Sequence, residues 1–140
     1  MTERSHPPGS SPRVLVWSAD TAVSQRAVQA LRGLSAGERA AVESSESAED
    51  VMAAVLDDRV DVLIADMAGA SARQATALRN VKRVRPRLPV VVLASVFDDR
   101  LRSEVLPLGI HCHLLRDFES PELAEAVRSA LRHAASARRA

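Results

Sequence analysis

A chain of 140 residues and 15.1 kDa, with 46% hydrophobic and 26% charged residues, has the size and make-up of one globular domain and leaves no room for a second independent core. No apolar run approaches the length of about eighteen residues that spans a bilayer, and the polar, Pro/Ser-rich stretch from Met1 to Arg13 has no apolar core behind its charges, so neither a membrane span nor a secretory or transit leader is expected and the chain is assigned to the cytoplasm. A net charge of +1 and 2% aromatic residues give little basis for binding nucleic acid, while the single cysteine, Cys112, rules out an internal disulfide or a multi-cysteine metal cage.

Residues 1–12, MTERSHPPGSSP, carry Pro, Gly and Ser without apolar periodicity and are expected to stay disordered. Arg13 opens a strand through Val14-Leu15-Val16-Trp17, which ends at Ser18-Ala19-Asp20. From Thr21 the apolar positions Val23, Ala27, Leu31 and Leu34 recur every three or four residues, which predicts a helix capped by Asp20, with Gly33 and Gly37 near its end. Ala40 to Ser47 is the least marked strand. Ser47-Ala48-Glu49-Asp50 then resembles a capping box and starts a helix through Val51, Met52, Val55 and Leu56.

Val60 to Ala65 forms the next apolar run, ending at Asp66, and Ser71-Ala72-Arg73-Gln74 caps a helix to about Val84. Pro86 and Pro89 stop that helix and admit Val90-Val91-Val92-Leu93, apolar at consecutive positions and therefore covered on both faces. A short helix is predicted from Asp98 to Leu108, although Pro107 removes a backbone donor from its last turn. His111 to Leu115 is the fifth strand. Ser120-Pro121-Glu122 starts the last helix, with Pro121 at the first helical position and Leu123, Val127 and Leu131 on the buried stripe. Five strand-helix repeats with doubly covered central strands call for a doubly wound α/β domain, a five-stranded parallel sheet flanked by helices, over residues 13–134. Residues 135–140 read as a tail or the start of a linker to an output domain. In such a sheet, function sits beyond the carboxyl ends of the strands.

At those ends the chain resembles the CheY-like receiver domain of bacterial two-component response regulators, over about Arg13 to His133. The stretches that carry the resemblance are Val60-Asp61-Val62-Leu63-Ile64-Ala65-Asp66, Leu88-Pro89-Val90-Val91-Val92-Leu93, and Gly109 followed by Leu114-Leu115-Arg116-Asp117. The last of these, with Ser120-Pro121-Glu122-Leu123 after it, is most similar to the NarL/FixJ class, whose receivers usually precede a DNA-binding helix-turn-helix. The resemblance implies a flavodoxin-like (βα)5 fold and a carboxylate that takes a phosphoryl group from a phosphohistidine, at Asp66. It implies magnesium held with the help of two acidic residues after the first strand, a Ser or Thr ending the fourth strand, an aromatic switch on the fifth, and a lysine.

This sequence departs from that pattern at every position but one. Ser18 and Ala19 stand at the acidic pair, Ala94 at the hydroxyl with Ser95 beside it, His113 at the aromatic, and Arg116 at the lysine, a planar fork in place of a compact ammonium. Asp20 lies one residue beyond the acidic pair and is read as a helix cap, so no cofactor is expected and magnesium only weakly. Asp66 is either a residual phosphoacceptor or a polar strand end bonding the next loop. A salt bridge from Arg116 to Asp66 would hold the pocket occupied.

The expectation is an atypical receiver: not an enzyme but a regulatory interaction or dimerisation module, largely independent of phosphorylation, controlling transcription through an output domain. The alternatives are a phosphorelay receiver phosphorylated on Asp66 by a histidine kinase, and a small-ligand sensor using the space left by Ser18, Ala19 and Ala94. A homodimer is expected through the face of the fourth helix, fifth strand and fifth helix, with Arg128 and Arg132 meeting Asp98, Asp99 and Glu104 of a second copy. Neither nucleic acid nor membrane is an expected partner of this domain. His111, Cys112 and His113 alternate along a strand, which places the histidines on one face and the thiol on the other and argues against one metal site. The cluster Arg79, Lys82, Arg83, Arg85 and Arg87 is read as a solvated helix end, and the acidic stretch from Glu43 to Asp50 as a solvated edge and a helix start.

Overall fold

The computed structural model describes residues 11–34, 40–67, 72–96 and 99–139. The expected leader up to residue 10, together with Gly37, Ser71 and Asp98, lies outside the described residues. The elements alternate: β1 (Arg13–Trp17), α1 (Thr21–Leu31), β2 (Ala41–Ser45), α2 (Ala48–Leu56), β3 (Val62–Asp66), α3 (Ala72–Val84), β4 (Val90–Ala94), α4 (Asp99–Val105), β5 (Cys112–Leu115) and α5 (Ser120–Arg139), with a 3₁₀ turn at Leu106–Leu108 between α4 and β5. All strand pairs are parallel, in the order β2-β1-β3-β4-β5. The order reverses between β1 and β3, so the chain leaves those two strands toward opposite sides of the sheet and opens a crevice at their carboxyl ends.

The side-chain alternation of the central strands divides the core into two layers. Val14, Val16, Val62, Ile64, Val91 and Leu93 pack with Val23, Ala27 and Leu31 of α1 and Leu123, Val127 and Ala130 of α5. Leu15, Trp17, Leu63, Ala65, Val90 and Val92 face the other way, onto Val51 and Val55 of α2, Leu78 and Val81 of α3, and Leu101 and Val105 of α4. Every residue of β3 and β4 is buried, as their continuous apolar runs predict. The edge strand β2 is polar and mostly exposed, which suppresses pairing with another chain's edge. Asp61, buried just before β3, accepts the Arg13 N–H at 2.7 Å and ties the start of β1 to its neighbour.

The helix ends follow their capping residues. Asp20 Oδ1 accepts the N–H of Ala22 at 2.9 Å, and Ser47 Oγ accepts that of Asp50 at 3.1 Å. Helix α4 is shorter than expected: it ends at Val105, Pro107 tightens the chain into the 3₁₀ turn, and Gly109 at φ 74° ends it in the left-handed region. At the start of α5, Glu122 Oε1 accepts the Glu119 N–H at 2.8 Å, and helix begins at Ser120, placing Pro121 one position later than expected. The stretch expected to be a tail continues α5 as far as Arg139, with Ala134 buried. Its small and arginine residues are strong helix formers, a propensity the reading of a linker overlooked.

One member of the basic cluster is not solvated at all. Lys82 is buried, and its ammonium donates to the carbonyls of Pro86 and Leu88, both at 2.8 Å, bracing the turn from α3 into β4. Burial pushes its pKa down from the usual lysine value. Arg85 is also engaged, bonding Asp58 Oδ1 at 3.1 Å across the α2–β3 turn.

Candidate functional site

Four expected residues converge in the crevice. Asp66, the last residue of β3, has its side chain 1% exposed, and Ser18, the residue after β1, is buried beside it. Ser18 Oγ donates to Asp66 Oδ2 at 2.6 Å and accepts the Asp20 N–H at 3.0 Å, so one hydroxyl links the strand end to the helix cap. Arg116, one residue past β5, places its guanidinium across both carboxylate oxygens of Asp66: Nε donates to Oδ1 at 2.8 Å and Nη2 to Oδ2 at 3.1 Å. Nη2 also reaches Asp20 Oδ2 at 3.0 Å. The two-pronged geometry is the strong form of an arginine–carboxylate pair, and burial of Asp66 protects it from screening.

The electrostatic consequences are mutual. Hydrogen bonding from Arg116, then from the first N–H groups of α1, holds the Asp20 carboxyl below the ordinary carboxylate range. Hydrogen bonding to Asp66 raises the Arg116 pKa further above its already high value. Asp20 therefore does two things where one was expected. It caps α1 through Oδ1, and through Oδ2 it belongs to the pocket.

Two supporting residues escaped the sequence reading. Arg26, on the exposed side of α1, donates to the carbonyls of Arg116 and Phe118, both at 2.8 Å, and lies 4.5 Å over the Phe118 ring. It thereby fixes the turn that presents Arg116. Gln74 of α3 donates to the Asp66 carbonyl at 3.2 Å. In sequence, the exposed Arg26 and the half-buried Gln74 look like any polar helix residue, and neither had a signal to find it by.

Other expected site residues stay apart from the pocket. Ala19 is exposed and offers no side-chain ligand; Ala94 is buried at the end of β4 without a hydroxyl; Ser95 is exposed. His113 is exposed on β5 in register with Val92, next but one to the half-exposed Leu115. The donor set does not fit magnesium, because Ser18 and Ala19 contribute no carboxylate and the two acids present are already joined through Arg116 Nη2. The same guanidinium lies over the crevice on Asp66 and Asp20. A surface groove of about 740 Å³ runs instead along α1 from Thr21 to Arg32, with neither Asp66 nor Ala94 in its lining.

On the expected dimer face, the charges pair within their own helices: Arg128 and Arg132 both meet Glu125, the latter at 3.6 Å, and Glu104 lies 3.8 Å from Arg100. Asp99 is exposed at the start of α4. His111 departs from the expected alternation. It precedes β5, and its Nε2 lies 2.9 Å from Ser129 Oγ of α5, on the side toward which Cys112 is half-buried. Among the described residues no group of three or more His, Cys, Asp or Glu side chains is placed to hold a metal ion, and no helix is long and apolar enough to cross a membrane.

A five-stranded parallel sheet in this order, with five flanking helices and a carboxylate at the end of β3, is the CheY-like receiver fold. The chain is similar to the signal receiver domain of an HD domain-containing protein from Pseudomonas fluorescens Pf-5, with 22% identity, coverage of 96% of both chains and a TM-score of 0.79. It is similar also to a CheY-like response regulator receiver domain protein from Methanospirillum hungatei JF-1, at 17% identity and TM-score 0.77, covering 91% of this chain and 98% of that one. An orphan response regulator of H. pylori matches at 15% identity and TM-score 0.71, over 90% of this chain and 100% of that one. No family model and no curated protein matches the sequence. The likeness is therefore one of fold, and the chemistry of the pocket rests on this chain's own residues.

Proposed function

We propose that this chain is an atypical receiver: a regulatory module of signal transduction whose phosphoacceptor pocket is closed by its own arginine, and which acts by contact with a partner or a second copy without phosphoryl transfer. The observation that carries this reading is the fork of Arg116 on Asp66, with Ser18 on the same carboxylate. Phosphoryl transfer is catalysed almost wholly by positioning and electrostatic stabilisation, from a metal ion and donors aimed at the incoming oxygens. Here the cation facing Asp66 is a fixed guanidinium, the metal-binding acids are replaced by Ser18 and Ala19, and Ala94 has no hydroxyl to offer. The carboxylate oxygens that would attack are held as hydrogen-bond acceptors. The domain so read is not itself an enzyme.

Homodimerisation through α4, β5 and α5 belongs to the same reading. The half-exposed Leu115 and the charges Asp99, Glu104, Arg128 and Arg132 supply apolar and mixed-sign surface there. Control of transcription through an output domain rests on the similarity of Leu114-Leu115-Arg116-Asp117 to the NarL/FixJ class. Treatment with a small phosphodonor and magnesium, followed by intact-mass spectrometry beside Asp66→Asn, tests the central point. No stoichiometric mass gain is expected. A gain that disappears in Asp66→Asn would overturn the reading in favour of a receiver phosphorylated by a histidine kinase.

A further inference from the structure

We propose that His111 and His133 form half of a transition-metal site, completed by the same pair from a second copy of the chain. His111 lies just before β5, and His133 lies on α5, one helical turn beyond Ser129. The two imidazole rings are 5.5 Å apart between centroids, with planes inclined by 46°. Two imidazole nitrogens at about 2.0–2.1 Å from one tetrahedral ion bring their ring centroids to about 5 Å, so the pair is spaced to grip one ion after small rotations of the side chains.

The surroundings prepare His111 as a ligand. With Ser129 Oγ 2.9 Å from Nε2, donation of the Nε2 proton to the hydroxyl leaves the lone pair on Nδ1 and fixes the ring, the arrangement that orients metal-bound histidines. Imidazole pairs suit zinc, copper and nickel.

Two ligands leave a tetrahedral ion half coordinated. Among the described residues no third side chain completes the set, and the Cys112 thiol beside His111 is half-buried against the apolar layer under α1 and α5. The pair stands next to the outermost strand, whose far edge has no partner strand among the described residues. A two-fold axis beside that edge would bring two such pairs together around one ion, and an isologous contact of this kind closes at a dimer.

The site is independent of the state of Asp66, and the test separates it from the charged contact proposed above. Sedimentation of the full chain is measured with and without zinc in roughly half-molar salt, where a Debye length of about 4 Å removes most surface charge pairing. The expected result is a zinc-dependent dimer, reversed by a chelator, with half a zinc ion bound per chain by calorimetry. His133→Ala, at an exposed position that does not threaten folding, should abolish both, and His111→Asn should do the same. One ion per chain on a monomer, a dimer unaffected by His133→Ala, or no zinc uptake would each overturn the proposal. A dimer that dissolves in salt and is not restored there by zinc would overturn it while leaving the charged interface standing.

Discussion

Replacing Arg116 by alanine leaves the Asp66 carboxylate in its pocket with the Ser18 hydroxyl as the hydrogen-bond donor that remains to it from the network. Removing one partner of a buried ion pair costs about 3–5 kcal/mol, because the other charge stays desolvated. The Asp66 side chain is 1% exposed but that of Arg116 is 22% exposed, so water enters part of the vacated space and the lower end, about 3 kcal/mol, is expected. That is more than a hundredfold in the folding equilibrium and a large part of a typical domain's stability. In urea, with a slope of about 1.5–2 kcal/mol per molar for a protein this size, the midpoint should fall by about 1.5–2 M with the slope unchanged. Arg116→Lys restores the charge as a compact ammonium that cannot span both oxygens and Asp20, and should recover about half of the loss. Part of the effect is pH-dependent. The Asp20 carboxyl is lowered in the folded state, so its contribution is complete above its ordinary value of 3.8 and disappears as pH falls through the lower folded value. A loss of under about 1 kcal/mol for Arg116→Ala, or an equal loss in an Asp66→Asn background, would refute the coupling on which the functional reading rests.

Magnesium should give no calorimetric signal with the native chain at submillimolar concentration, whereas Ser18→Asp, Ala19→Asp and Arg116→Lys together should create a measurable site; binding by the unmodified chain would show that the donor set has been misjudged. Cys112 should alkylate slowly in the folded protein at pH 8, since burial raises its pKa, and at the rate of a free thiol in denaturant; equal rates would contradict its burial. Reversing Arg128 and Arg132 to glutamate should weaken self-association measured by sedimentation at low salt, and a dimer indifferent to both the reversal and added salt would exclude the α4–β5–α5 contact.

The order of elements was readable because each has a local cause: consecutive apolar residues for β3 and β4, three-to-four spacing for α1 and α5, and the caps Asp20 and Ser47 at the starts of α1 and α2. The ion pair of Arg116 with Asp66 was considered because the resemblance puts both residues in one pocket beyond the carboxyl ends of the strands, and the structure has them 2.8 Å apart. What escaped was side-chain reach. That Asp20 both caps and pairs depends on which oxygen faces which way, and that Arg26 serves the β5–α5 turn depends on a separation of 90 residues along the chain. The length of α5 was misjudged from its composition, and His111 was placed by an alternation that holds only within the strand it precedes.

The chain holds a single lysine among its nineteen basic residues, and that lysine is inside the fold. Its ammonium is enclosed by two carbonyls at the base of α3, so side-chain reagents that attack amines have no exposed lysine to meet in the native protein. Acylation at Lys82 and cleavage by a lysine-specific protease both become reports on the opening of one turn. Cleavage after Lys82 would separate the strands β1 to β3 from β4 and β5, and its rate in native buffer measures how often the end of α3 and the turn into β4 open.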